Sequence, residues 1–143
     1  MSQSFKTIHE FSSVSFGQTL LGVNNAGTAI TLGPTQSGEI IVLNATSGSA
    51  VTLGAPALGL SYRFIVGVTG GHTITAPSAS ILGSVTAAIP TAGSVLLTTD
   101  AAKTVISTTA GSVRGDTILL VSNGGAYYVS GAVANFNALT FTN

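Results

Sequence analysis

Short runs of β-branched and aliphatic residues, each closed by glycine, proline or asparagine, recur along nearly the whole chain. That rhythm limits the folds open to it. Glycine and β-branched residues interrupt almost every window long enough for a helix, whereas an all-β sandwich or barrel needs many short strands with turn residues between them. About a dozen strands are expected, over 19–23, 28–32, 39–44, 50–53, 60–66, 72–75, 80–82, 94–99, 103–108, 117–121, 126–130 and 138–141. The breaks suit turns: Asn25-Ala26-Gly27, Gly33-Pro34, Ser47-Gly48, Gly70-Gly71 and Asn123-Gly124-Gly125. Asp100 to Lys103 reads as the turn of a hairpin joining "SVLLTT" to "KTVIST".

The expected architecture is a single antiparallel β-sandwich, jelly-roll-like or immunoglobulin-like, over 18–143, preceded by an extended arm over 1–17. The arm holds Phe5, Lys6, His9, Glu10 and Phe11 and carries little β pattern before Val14. It reads either as a segment that packs on a neighbouring subunit or as a frayed tail or plain first strand. Inside the sandwich a repeat stands out: "TAITLGPTQSG" at 28–38 aligns with "SAVTLGAPALG" at 49–59, twenty-one residues on. Two copies suggest related corners of the fold but are too few for a solenoid.

The surface is unusual. Only 6% of residues are charged, against about 25% in an ordinary soluble domain, while 45% are hydrophobic, an ordinary share. Ser, Thr, Asn, Gly and Ala stand where Lys and Glu normally do, and the net charge is zero, so copies repel one another weakly and assembly is expected. The four basic residues Lys6, Arg63, Lys103 and Arg114 are scattered among four acids, which argues against nucleic acid as a partner. No apolar run reaches the length of a membrane span, and "MSQSFKTIHEF" lacks a signal-peptide centre, so no membrane partner is expected.

Chemistry has few residues to work with. The titratable side chains Glu10, Glu39, Asp100, Asp116, His9 and His72 are dispersed, none of the common catalytic motifs occurs, and no enzymatic activity is expected. Without cysteine there is no thiolate metal site, and four scattered acids are few for calcium, so neither metal nor cofactor is expected. Tyr62, Tyr127 and Tyr128 could stack on sugar faces, although most tyrosines on strands are structural.

The densest stretch is "VRGDTILLVSNGGAYYVSG". An apolar run, a turn over 122–125 and a return strand make the clearest hairpin in the chain, with Asn123, Gly124 and Gly125 at its tip. Strand alternation sends Tyr127 and Tyr128 to opposite faces, one towards the core and one available to solvent or a partner. Arg114-Gly115-Asp116 is a cell-attachment tripeptide in form, but here it runs straight into a strand. Gly115-Asp116 is better read as the turn into the hairpin, with Asp116 accepting local backbone N–H bonds.

The segments "SAVTLGAPALGLSYRFIVG", "TITAPSASILGS", "GSVRGDTILLVSNGGAYYVSG" and "NALTFTN", over about residues 50–143, resemble a pattern in virion proteins of tailed phages and other large DNA viruses. Gly115-Asp116 and Tyr127-Tyr128 match the positions that carry it; residues 1–17 have no counterpart. The resemblance implies a non-enzymatic, commonly trimeric capsid decoration or cement protein on the outer capsid surface, with the major capsid protein and its own copies as partners. Phe5, Lys6, His9, Glu10 and Phe11 are then the expected attachment residues. The alternative is a tail-fibre or receptor-binding tip that recognises a host glycan.

Overall fold

The computed structural model describes residues 22–89 and 93–143; the expected arm, with Phe5, Lys6, His9, Glu10 and Phe11, lies outside the described residues. Among the described residues there are twelve strands: β1 (Val23–Asn25), β2 (Ala29–Leu32), β3 (Ile40–Leu43), β4 (Ala50–Leu53), β5 (Leu58–Val66), β6 (Thr73–Thr75), β7 (Ile81–Ile89), β8 (Gly93–Thr98), β9 (Val105–Thr108), β10 (Thr117–Asn123), β11 (Tyr127–Val133) and β12 (Leu139–Thr142). They form a seven-stranded sheet in the order β1-β3-β5-β10-β11-β7-β8 and a five-stranded sheet in the order β12-β9-β6-β4-β2. The chain is thus all-β and two-layered, as its strand rhythm implies.

The sheets are mixed. From β1 to β6 the chain crosses between layers at every turn. Strands β1, β3 and β5 therefore lie side by side and parallel in one sheet, and β2, β4 and β6 likewise in the other. This is a flattened coil rather than a run of hairpins. The sequence repeat is its register: Ala29, Ile30, Thr31 and Leu32 pair with Ala50, Val51, Thr52 and Leu53. Two recognisable copies belong to a winding of three turns, because the third strand of that sheet, Thr73–Thr75, keeps the alternation but not the Leu-Gly ending. From β7 onward the pairing becomes mostly antiparallel: β7 with β8, β10 with β11, and β9 with both β6 and β12.

One expected hairpin is absent. Strands β8 and β9 belong to different sheets, so the turn around Asp100 and Lys103 crosses between layers, and β8 pairs with β7 instead. Turn residues mark where a chain bends but not which layer it enters. A Lys103–Asp100 ion pair of 3.3 Å closes the corner.

A single core fills the space between the sheets. Alternate residues of most strands point inward: Leu60, Tyr62, Phe64 and Val66 on β5, Ile118 and Leu120 on β10, Val51 and Leu53 on β4, Ile74 on β6, Ile106 on β9. Among the described residues every buried side-chain polar atom has a hydrogen-bond partner. Two tyrosines stitch the layers together. From the seven-stranded sheet, the Tyr62 hydroxyl donates to the Gly33 carbonyl (2.8 Å) and the Tyr127 hydroxyl to the Gly54 carbonyl (3.0 Å), the two equivalent glycines of the repeat. The coil also has an internal brace. The buried His72 accepts a hydrogen bond at Nδ1 from the Ser49 N–H (2.8 Å) and meets the Val68 carbonyl through Nε2 (2.7 Å). Accepting at one nitrogen leaves the proton on the other, so the ring is the neutral Nε2–H tautomer.

Candidate interaction face

The tight turn before β10 places Asp116. Gly115 has φ of +92°, a conformation in which a side chain would be strained, and its N–H donates to the Val66 carbonyl (2.9 Å). That turn folds the Asp116 side chain inward, where it is 3% exposed. Oδ2 accepts from the Val113 N–H (2.9 Å) and Oδ1 from the Ala134 N–H (2.8 Å), so the carboxylate joins the start of β10 to the end of β11. A receptor that reads Arg-Gly-Asp needs a free carboxylate; both oxygens of this one are engaged within the fold. Arg114 is exposed beside it.

At the other end of the hairpin Asn123 shapes the tip. Its Oδ1 accepts from the N–H groups of Gly125 and Ala126, both at 3.0 Å, and the Gly124 N–H donates to Ser122 Oγ (3.1 Å). Asn123 Nδ2 also donates to the Tyr128 hydroxyl (3.3 Å). Of the paired tyrosines, Tyr127 is wholly buried and packs against Tyr62 with ring centroids 6.4 Å apart, while Tyr128 is 47% exposed on the opposite face. Of the candidate contact aromatics, then, only Tyr128 is available to a partner. Burial raises the Tyr62 phenol above its ordinary range; burial, reinforced by Tyr62, pushes Tyr127 up to about 12.

Tyr128 opens onto the outer face of the seven-stranded sheet. Strand registers align its side chains in rows: Ser61, Val121, Tyr128 and Leu82 in one; Ile40, Arg63, Leu119 and Ser130 in the next; Val42, Ile65, Thr117 and Ala132 in the third. Val121 is 44% exposed, and Leu58 beyond it, at the head of β5, is 82% exposed. Within these rows Arg63 is the one charged side chain. Gly38, Ile40, Ser61, Arg63 and Leu119 line a hollow of about 220 Å³ here, smaller than the ~300–1,000 Å³ typical of a small-molecule site and open to solvent. The face therefore offers a broad, shallow surface with Arg63 as the one charge in its central rows, rather than a pocket.

Sequence reasoning placed the tyrosines on opposite faces but missed this surface. Ile118 to Val121 is one continuous apolar run, and only the strand order shows that Ile118 and Leu120 serve the core while Leu119 and Val121 serve the outside. A second hollow, of about 390 Å³, lies between the edge strands β8 and β12, lined by Leu97, Leu139 and Phe141 with Asp100 and Lys103 at its rim. Among the described residues no three His, Asp or Glu side chains converge as metal ligands would, and no helix is long and apolar enough to cross a membrane. Comparison with known proteins returns no matching family, no matching curated protein and no matching solved structure.

Proposed function

We propose that the chain is a non-enzymatic structural protein of a virion, a capsid decoration or cement protein that binds the outer capsid surface as an oligomer and stabilises the head. The observation that carries this reading is the outer face of the seven-stranded sheet: wide, poor in charge and studded with Leu119, Val121 and Tyr128. Such a face works by buried area, and specific interfaces commonly remove ~1,200–2,000 Å² from water with aromatic and aliphatic residues at the centre. The likeness of residues 50–143 to virion proteins supports the same reading. Self-association, as a trimer, and the major capsid protein are its proposed partners.

Tyr128 beside Asn123 favours a second reading, a tail-fibre or receptor-binding tip, because an exposed ring with an amide at its hydroxyl suits stacking on a sugar. Immunogold labelling of intact virions separates the two. Label spread over heads is expected for a cement protein. Label confined to tail tips transfers the proposal to glycan binding, and particles without label overturn both.

A further inference from the structure

The tip of the β10–β11 hairpin holds a reactive pair that the roles described so far do not use. Of all the asparagines in the sequence, only Asn123 is followed by glycine. A side-chain amide can be attacked by the backbone nitrogen of the next residue, and the Cβ that ordinarily crowds this approach is missing from glycine. Asn123, Gly124 and Gly125 are all exposed, so water reaches the pair.

The turn gives each reacting atom a partner. When Cγ of Asn123 is attacked, negative charge develops on Oδ1, and this oxygen accepts from the N–H groups of Gly125 and Ala126, both at 3.0 Å. Two backbone donors aimed at one carbonyl oxygen are how acyl-transfer sites stabilise a tetrahedral intermediate. They also orient the amide, since only its oxygen can accept from both. Nδ2, the atom that leaves, is thereby turned to the Tyr128 hydroxyl (3.3 Å). As Nδ2 is expelled it regains a lone pair, and the phenol can give it a proton. The attacking nitrogen is placed as well: the Gly124 N–H donates to Ser122 Oγ (3.1 Å), so its proton already faces an oxygen. Gly124 has φ of +97°, and the Asn123 N–H closes the turn on the Ala126 carbonyl (3.3 Å). An Asx turn alone accounts for the bonds to Oδ1. The phenol at the leaving nitrogen and the glycine at the attacking one add chemistry to it.

We propose that Asn123-Gly124 is a self-modification site, at which the folded hairpin converts its own asparagine to aspartate or isoaspartate. The Gly124 nitrogen gives up its proton and bonds to Asn123 Cγ, and the carbonyl electron pair moves onto Oδ1. That pair returns as the Cγ–Nδ2 bond breaks. Nδ2 leaves as ammonia with the Tyr128 proton, and the proton lost by Gly124 restores the phenol through water. One water then opens the resulting succinimide at either carbonyl, giving aspartate or a backbone rerouted through the β-carbon. No oxidant or cofactor enters. The product exchanges a neutral amide for a carboxylate next to the exposed Tyr128 and lowers the net charge of the chain from zero by one.

Peptide mapping by mass spectrometry tests this on the purified full chain, by following aspartate and isoaspartate at position 123 over time at neutral pH. The folded chain should convert at least as fast as the same chain unfolded in guanidinium chloride, because the turn supplies donors that the unfolded chain lacks. Gly125→Pro removes one donor to Oδ1 and leaves the reacting pair intact, so it should slow the folded chain by about 10-fold or more without changing the unfolded rate. Tyr128→Phe leaves the core untouched, since Tyr128 lies on the outer face, and should likewise slow the folded chain alone. It keeps the test open if Gly125→Pro disturbs the hairpin. Slower conversion in the folded chain than in the unfolded one overturns the proposal, because the turn is then a lock on the amide. A folded rate that neither substitution changes overturns it as well. Every readout is made on purified protein, so the outcome is independent of where the protein sits on a virion.

Discussion

The two halves of the Arg-Gly-Asp tripeptide differ in what they do for the fold. Asp116 satisfies two backbone N–H groups from opposite ends of the β10–β11 hairpin, and removing it leaves both donors buried without a partner. Asp116→Ala should therefore lower stability by about 2–4 kcal/mol, and Arg114→Ala by less than about 0.5 kcal/mol, in urea unfolding. Equal effects would contradict the assignment. The role of Asp116 was legible beforehand because a short carboxylate after glycine has few local options, whereas its second bond, to Ala134 from a distant turn, needed the fold. Tyr127 makes a pH prediction. Its phenol is held up to about 12 in the folded chain against an ordinary value of 10.0, so its burial stabilises fully below pH 10 and the benefit is lost as pH rises through about 12. Urea midpoints should fall across that window, and less steeply in Tyr127→Phe, which cannot ionise; identical slopes would remove Tyr127 as a cause.

At the scale of elements, most strands and the hairpin of β10 and β11 could be read from alternation and turn residues. What alternation does not encode is direction: a glycine turn leads equally well to an adjacent antiparallel strand or across the core to the opposite sheet. The repeat at 28–38 and 49–59 held that information, since equal spacing of equivalent corners means parallel stacking, but with two copies the winding was not recognised. Strand β7 shows another limit. Its expected extent stopped at Leu82, just before Gly83, yet the strand continues to Ile89. Gly83 has φ of +125°, and a Cβ there would run into the Val129 carbonyl of β11. The glycine permits the close approach of β7 and β11 rather than ending the strand. Gly83→Ala should accordingly cost about 2–4 kcal/mol, well above the gain of a few tenths expected from alanine at an unstrained exposed position, and thermal unfolding decides between them.

For the whole molecule, the low charge of the chain acquires a location. An open seven-stranded sheet exposes one complete face, and on an isolated domain that face would ordinarily carry Lys and Glu; here its central rows carry Leu119, Val121, Tyr128 and Ile65, with Arg63 alone charged. Zero net charge removes the long-range repulsion that would keep such faces apart. If copies associate through this face, the driving force is burial of apolar area, and two results follow together. Sedimentation should show an oligomer whose stability is nearly unchanged between ~0.05 and ~0.5 M salt, since the central rows hold Arg63 and no acid for it to pair with. Val121→Glu should dissociate it, because a carboxylate would be desolvated at the centre of the contact, while the Tm of the monomer stays within a few degrees since Val121 lies outside the core. An oligomer that salt dissociates and Val121→Glu leaves intact would place the contact elsewhere, with the groove between β8 and β12, where Asp100 and Lys103 stand, as the next surface to substitute.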